Sequence, residues 1–146
     1  MSYEPLYNKD SSSPSSARDG RKLILSVDDD LAVLYTRFKL LAAAGYGVLS
    51  ASDAAQALQI FANHPVDLVL IDYALPEMDG GMLAEAMKTH RPDILIIMVS
   101  GVEVPEKVLA LMNDFVTKGA GAEALISSIQ QVLSPNVRRG QRGLAS

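Results

Sequence analysis

Five positions in this 146-residue chain carry side chains that could do chemistry together: Asp28 and Asp29, a third acid at Asp72, the hydroxyl of Ser100 and the ammonium of Lys118. Each follows directly on a short apolar run, so if those runs are strands of one parallel sheet, all five share one rim. Three carboxylates brought to one place repel one another, and something must offset that cost. A hard divalent cation held by oxygen is the obvious candidate. Magnesium suits one or two carboxylates together with waters and a phosphate. A hydroxyl and an ammonium at the same rim are what the remaining oxygens of a phosphoryl group need. Taken singly, each residue has an ordinary reading: a helix cap for Asp28–Asp30, a turn hydroxyl for Ser100, a surface charge for Lys118. Their joint placement carries the signal.

The elements that must position them are legible as alternating patterns. Leu23-Ile24-Leu25-Ser26-Val27 is a short apolar strand running into Asp28-Asp29-Asp30. Leu31, Leu34, Phe38 and Leu41 have helical spacing up to Ala44, with Asp30 as the cap and Gly45 and Gly47 as stop and turn. Val48–Ala51 is a second strand. Asp53 then caps a helix burying Ala54, Ala57, Leu58 and Phe61, which Pro65 ends. Val66–Asp72 reads as a strand buried on both faces, followed by a loop with Pro76, Asp79, Gly80 and Gly81. A helix bearing Met82, Leu83, Ala86 and Met87 follows. Ile94–Val99 is a fourth strand ending at Ser100-Gly101. A helix from about Pro105 carries Val108, Leu109 and Met112. Phe115-Val116-Thr117 is a fifth strand reaching Lys118, and Leu125, Ile126, Ile129, Val132 and Leu133 mark a last helix closed by Pro135. Strand and helix alternate five times, which predicts an α/β fold: a doubly wound, five-stranded parallel sheet with helices on both faces.

Composition bounds the function. The chain is 49% hydrophobic and 21% charged, with a net charge of −4, which is ordinary globular composition and argues against general nucleic-acid or anionic-membrane binding. It contains no cysteine and two histidines, which excludes thiol catalysis and disfavours a histidine-rich metal site. No apolar run approaches the roughly 18 to 20 residues needed to span a bilayer, and no secretion signal is evident, so a cytoplasmic location is expected. Residues 1–21 include Ser11-Ser12-Ser13-Pro14-Ser15-Ser16 and read as a flexible tail; 22–134 form the single domain; 135–146 form a second tail with Arg138, Arg139 and Arg142.

With these residues in place, the chain resembles a response-regulator receiver domain of bacterial two-component signalling. The resemblance covers about residues 22 to 134. It rests on Val27-Asp28-Asp29-Asp30, on Leu70-Ile71-Asp72 with Leu75-Pro76-Glu77-Met78-Asp79-Gly80, on Val99-Ser100-Gly101, and on Phe115-Val116-Thr117-Lys118. It implies that Asp72 takes a phosphoryl group from the phosphohistidine of a sensor histidine kinase or histidine phosphotransfer protein. It further implies Mg2+ held by Asp29, Asp72 and the backbone carbonyl of Ala74, with Asp28 acting through a metal-bound water. Lys118 would pair with the phosphoryl oxygens. Ser100 would swing in to the phosphate, with Phe115 changing rotamer behind it. The ordinary reading of Phe115 is a core aromatic. The small Gly101 is expected to leave room for the incoming group. A downstream protein target is implied, with no direct DNA binding expected, since no output domain is evident after the last helix.

Three departures from the family stand out. The proline that usually follows the family's lysine is Gly119 here. Because a cis bond at a non-proline residue costs about 2.5 to 4 kcal/mol, a trans bond is expected. The segment between Ser100 and Lys118 is about one helical turn shorter than typical, so the fourth helix should be short or displaced. Ala74 and Val102 stand where family members modulate attack by water on the phosphorylated aspartate, and both are apolar. A comparatively long-lived phosphoryl state follows from that.

Two other functions compete. A degenerate receiver could serve as a phosphorylation-independent binding module. A haloacid-dehalogenase-type phosphatase would use Asp28 as nucleophile and Asp30 as acid/base, but would leave Asp72 without a role and lacks a second acidic pair after Lys118. A flavodoxin-like redox protein is disfavoured because the first strand leads into acids, not into a phosphate-cradling Ser/Thr/Gly loop.

Overall fold

A computed structural model describes residues 20–134. Ten elements alternate along the chain: β1 (Leu23–Val27), α1 (Leu31–Ala43), β2 (Gly47–Ala51), α2 (Ala54–Asn63), β3 (Leu68–Asp72), α3 (Gly80–His90), β4 (Leu95–Ser100), α4 (Glu106–Leu109), β5 (Asp114–Thr117) and α5 (Ala122–Leu133). The strands form one parallel sheet in the order β2-β1-β3-β4-β5. The fold is therefore the expected doubly wound α/β sheet. β1 and β3 are buried along their whole length because each is flanked by strands and covered on both faces.

Side chains alternate between two cores. Leu25, Val27, Val69, Ile71 and Met98 pack under α2 and α3 with Phe61, Leu83 and Met87. Ile24, Leu68, Leu70, Ile97 and Val116 pack under α1 and α5 with Leu41, Leu125 and Ile129. The caps follow local chemistry. Asp30, Asp53 and Asp79 each accept backbone N–H groups at the start of α1, α2 and α3, satisfying donors that the helix itself cannot. Gly45 ends the α1 turn at φ +99°, a conformation that only glycine adopts without strain.

Several boundaries differ from the sequence reading. The third strand starts at Leu68; just ahead of it the Val66 N–H donates to the His64 carbonyl and the Asp67 N–H to the Leu23 carbonyl at the start of β1. Gly47 is the first residue of β2, and Ser100 the last of β4. The fourth helix is a single turn, Glu106–Leu109, with Pro105 outside it as the cap and Met112 beyond its end. Leu31 does not join the buried stripe of α1; it is 62% exposed. Of the two tails expected from the sequence, residues 1–19 and 135–146 lie outside the described residues.

Candidate active site

In a sheet of order 2-1-3-4-5, the chain leaves β1 and β3 in opposite directions, opening a crevice at their carboxyl ends. Val27 stands opposite Ile71 in the register, so Asp28 and Asp72 are neighbours at that crevice. Asp72 pairs with Val99, and Val99 with Val116, which carries Lys118 to the same face two residues on. The Lys118 N–H donates to the Ser100 carbonyl at 2.8 Å, anchoring the β5 end. Alternation thus sends Asp28, Asp72 and Lys118 to the α1/α5 side.

The side chains meet there. Lys118 Nζ donates to Asp72 Oδ2 at 3.2 Å and lies 3.2 Å from Asp28 Oδ2. Asp28 Oδ1 accepts the Asp30 N–H at 2.9 Å, and Asp72 Oδ1 accepts the Ala74 N–H at 3.3 Å. Asp28 and Asp72 are buried, whereas Asp29 is exposed. Burial, then the charge of Asp28, pushes the Asp72 carboxyl above the usual carboxylate range, although Lys118 and the Ala74 N–H pull it back. Burial alone would lower the Lys118 ammonium, but the hydrogen bonds and charges of Asp28 and Asp72 outweigh it and hold the ammonium above its ordinary value.

The donor set fits magnesium. Asp28, Asp29 and Asp72 each offer an oxygen within 4.8 Å of the others. Oxygens sharing one octahedral Mg2+ lie about 3 to 4 Å apart, so the cluster has the right size once one carboxylate acts through water. Asp28 suits that outer role, because both its oxygens already have partners. Hard oxygen donors with an open, exposed acid at the mouth are what this cation takes.

The loop after β3 is held close by Gly80. Its N–H donates to the Tyr73 carbonyl, and a Cβ at Gly80 would stand 2.7 Å from the Asp72 carbonyl oxygen. Gly119 adopts φ +89°, which a proline cannot reach, and the described residues contain no cis peptide. The backbone after Lys118 therefore takes its own course. At Gly101, by contrast, an added Cβ would meet only the Lys118 Cβ at 3.7 Å, an ordinary contact, so the packing around Gly101 does not demand a glycine.

Ser100 and Phe115 are not brought onto Asp72. Alternation places both on the other face of the sheet, and the Ser100 hydroxyl is engaged by its own loop. It donates to the Val102 carbonyl at 2.8 Å and accepts the Val102 N–H at 3.0 Å. Phe115 is 37% exposed, which rules out the plain core reading. Asp30 is spent on the α1 cap, so it is no free acid/base beside Asp28, and the phosphatase reading loses its second residue.

One residue escaped the sequence reading. Arg37 of α1 is only 6% exposed and reaches the acids from beneath, with Nη2 3.4 Å from Asp28 Oδ2 and Nη1 donating to Ser26 at 3.2 Å. The signal was present: Leu34, Arg37 and Leu41 share one helical stripe, and Ser26 shares a strand face with Asp28. Two polar residues on two otherwise apolar faces point at each other.

The response regulator receiver domain model matches residues 24–130. A probable transcriptional regulator, ycf27 of Cyanidium caldarium, is 37% identical over 118 residues, covering 75% of this chain and 45% of its own length. The chain spans about half the length, or less, of the curated relatives it matches. A CheY-like receiver domain protein from Methanospirillum hungatei superposes with a TM-score of 0.72 at 27% identity, covering 84% of this chain and 98% of that one. The chemotaxis protein CheY4 of Vibrio cholerae gives 0.73 at 26% identity, over 77% and 99%. With the acidic crevice at the β1/β3 switch point and a family match over most of the described residues, the chain belongs to the response regulator receiver domains of two-component systems.

Proposed function

We propose that the domain accepts a phosphoryl group from the phosphohistidine of a histidine kinase or histidine phosphotransfer protein onto Asp72, and that this switches its binding to a downstream protein. The observation that carries this reading is Lys118 Nζ lying 3.2 Å from both Asp72 Oδ2 and Asp28 Oδ2 at the sheet's switch point. A carboxylate is a poor nucleophile toward phosphate because both are anionic, and a fixed ammonium beside it reduces that repulsion. In the transfer, an Asp72 oxygen forms a bond to phosphorus as the phosphorus–nitrogen bond to the donor imidazole breaks, and the leaving nitrogen keeps the electron pair and ends protonated. Magnesium bound by Asp29, Asp72 and the Ala74 carbonyl, with Asp28 acting through water, would supply the remaining charge neutralisation.

Lys118 then turns from the carboxylates to the phosphoryl oxygens. For Ser100 to hydrogen-bond the new group, its hydroxyl must give up both bonds to Val102, which couples phosphorylation to the β4–α4 loop. Phe115, exposed one strand away, is the aromatic that follows. The net charge of −4 disfavours a phosphate-backbone footprint, so the switched partner is read as a protein and not as DNA. No helix among the described residues is long and apolar enough to cross a membrane; the reading includes a cytoplasmic setting, where such kinases present their phosphohistidine.

The test is incubation with acetyl phosphate and magnesium followed by intact-mass measurement, beside Asp72→Asn and Asp28→Asn. One added phosphoryl group that disappears in Asp72→Asn is expected. No adduct, together with no magnesium binding, would leave a phosphorylation-independent binding module. Acetyl phosphate turnover that survives Asp72→Asn and dies with Asp28→Asn would make the protein a phosphatase.

A further inference from the structure

Asp28 Oδ2 is shared by two cations of different kinds. Lys118 approaches from the mouth of the crevice with a side chain 35% exposed, whereas Arg37 approaches from the core with a side chain 7% exposed. Both side chains border a cleft of about 640 Å3 between α1 and α5, and the more exposed Lys118 has room to move into it. Arg37 is held in place instead, because its second terminal nitrogen is tied to Ser26 on the floor of the sheet. Beside Ser26 in the register stands Ser50, whose buried hydroxyl has no partner among the described residues, so this patch of core is polar and underfilled with hydrogen bonds. A guanidinium keeps its charge under all ordinary conditions. Three carboxylates against Lys118 and Arg37 leave the crevice one negative charge, where Lys118 alone would leave two.

We propose that Arg37 is a positioning residue, the standing counter-ion of Asp28, which weakens divalent-cation binding at the crevice and lets Lys118 leave for a phosphoryl group without stranding a buried carboxylate. The second half rests on the acceptor reading above; the first does not. A buried carboxylate that loses its last cationic partner is strongly destabilising. Without Arg37, Asp28 would compete with the phosphoryl group for the one remaining cation. With Arg37 in place, the ammonium is free to move while Asp28 stays fixed for its water-mediated role.

The two halves predict opposite changes in one variant. Arg37→Gln keeps hydrogen-bonding capacity toward Ser26 and Asp28 but removes the charge. Its magnesium affinity, measured by calorimetry on the unphosphorylated protein, should rise about tenfold, from the lost repulsion between like charges a few ångströms apart. Its phosphorylation by acetyl phosphate at saturating magnesium, followed by intact mass, should nevertheless slow about tenfold. Arg37→Lys, which keeps the charge, should bind magnesium within about twofold of the wild type. General damage to the fold would weaken both binding and phosphorylation and overturns the proposal, as does an Arg37→Gln magnesium affinity equal to the wild type's. If Arg37→Gln does not fold, Arg37→Met in an Asp28→Asn background, which removes both buried charges, is compared with Asp28→Asn alone: equal magnesium affinity in that pair overturns the proposal, and tighter binding without the guanidinium supports it. If the wild type takes up no phosphoryl group, the acceptor reading fails while the magnesium comparison still decides whether Arg37 sets the charge of the crevice.

Discussion

A Cβ on Gly80 would stand 2.7 Å from the carbonyl oxygen of Asp72, and 2.9 Å from both Ile71 Cγ2 and Tyr73 Cα. The first turn of α3 is thus pressed against the strand end that carries Asp72, the proposed acceptor. Two of those three atoms are backbone, so they cannot move aside without shifting β3. Gly80→Ala is expected to destabilise the domain by about 1 to 3 kcal/mol, and to lower magnesium affinity because Asp72 moves with its backbone. Thermal melts with and without magnesium check both; a variant as stable as wild type would mean that the α3 turn relaxes outward instead.

Gly119 offers a second backbone test. At φ +89° a side chain is strained whatever space surrounds it, and proline is locked near −65°. Gly119→Ala should cost about 1 kcal/mol. Gly119→Pro should cost more and displace Lys118, reducing uptake of phosphoryl groups from acetyl phosphate. Restoring the family's usual residue is therefore expected to harm this protein, and a Gly119→Pro variant with wild-type uptake would contradict that.

The Asp72 carboxyl, raised by burial and by Asp28, binds its proton more tightly in the fold than in the unfolded chain. Its contribution to stability is present below the ordinary carboxylate value and is lost as pH rises through the raised one. Asp72→Asn removes that loss and leaves Lys118 its contact with Asp28. In chelator, Asp72→Asn should match wild type in acid and become more stable, on the order of 1 kcal/mol, once the pH has passed the raised value. Denaturant titrations across that range are the check. A gap that narrows with rising pH would show the sign to be wrong.

Ala74 is exposed two residues after the proposed acceptor Asp72, and Val102 is 56% exposed just beyond the end of β4. Neither side chain can hydrogen-bond a water in line with phosphorus. Phosphorylated protein freed of donor should lose its phosphoryl group several-fold faster after Ala74→Asn than before it. Equal decay of the two phosphoproteins, read by intact mass over time, would refute the expectation that the apolar pair prolongs the state.

The alternation of strand and helix, the caps Asp30 and Asp53 and the rim of Asp28, Asp29, Asp72 and Lys118 were readable from sequence alone. All are local patterns: period two against period 3.6, a breaker after an apolar run, a carboxylate at a strand end. Parallel connections then force the strand ends to one side, so the rim follows from the pattern without any contact being known. What needed the tertiary structure is whatever depends on a partner distant in sequence. Leu31 lies in the open and Arg37 in the core because Asp28 and Ser26 offer the guanidinium partners there, which hydropathy does not register. Ser100 sits at the expected strand end, yet β4 alternation and the Val102 loop turn its hydroxyl away from Asp72. The need for glycine at position 80 and its indifference at 101 come from how near another backbone passes, a distance set only when α3 packs onto β3. Spacing along the chain determined which chemistry could assemble, while packing across it decided which side chains share a proton, a cation or a charge.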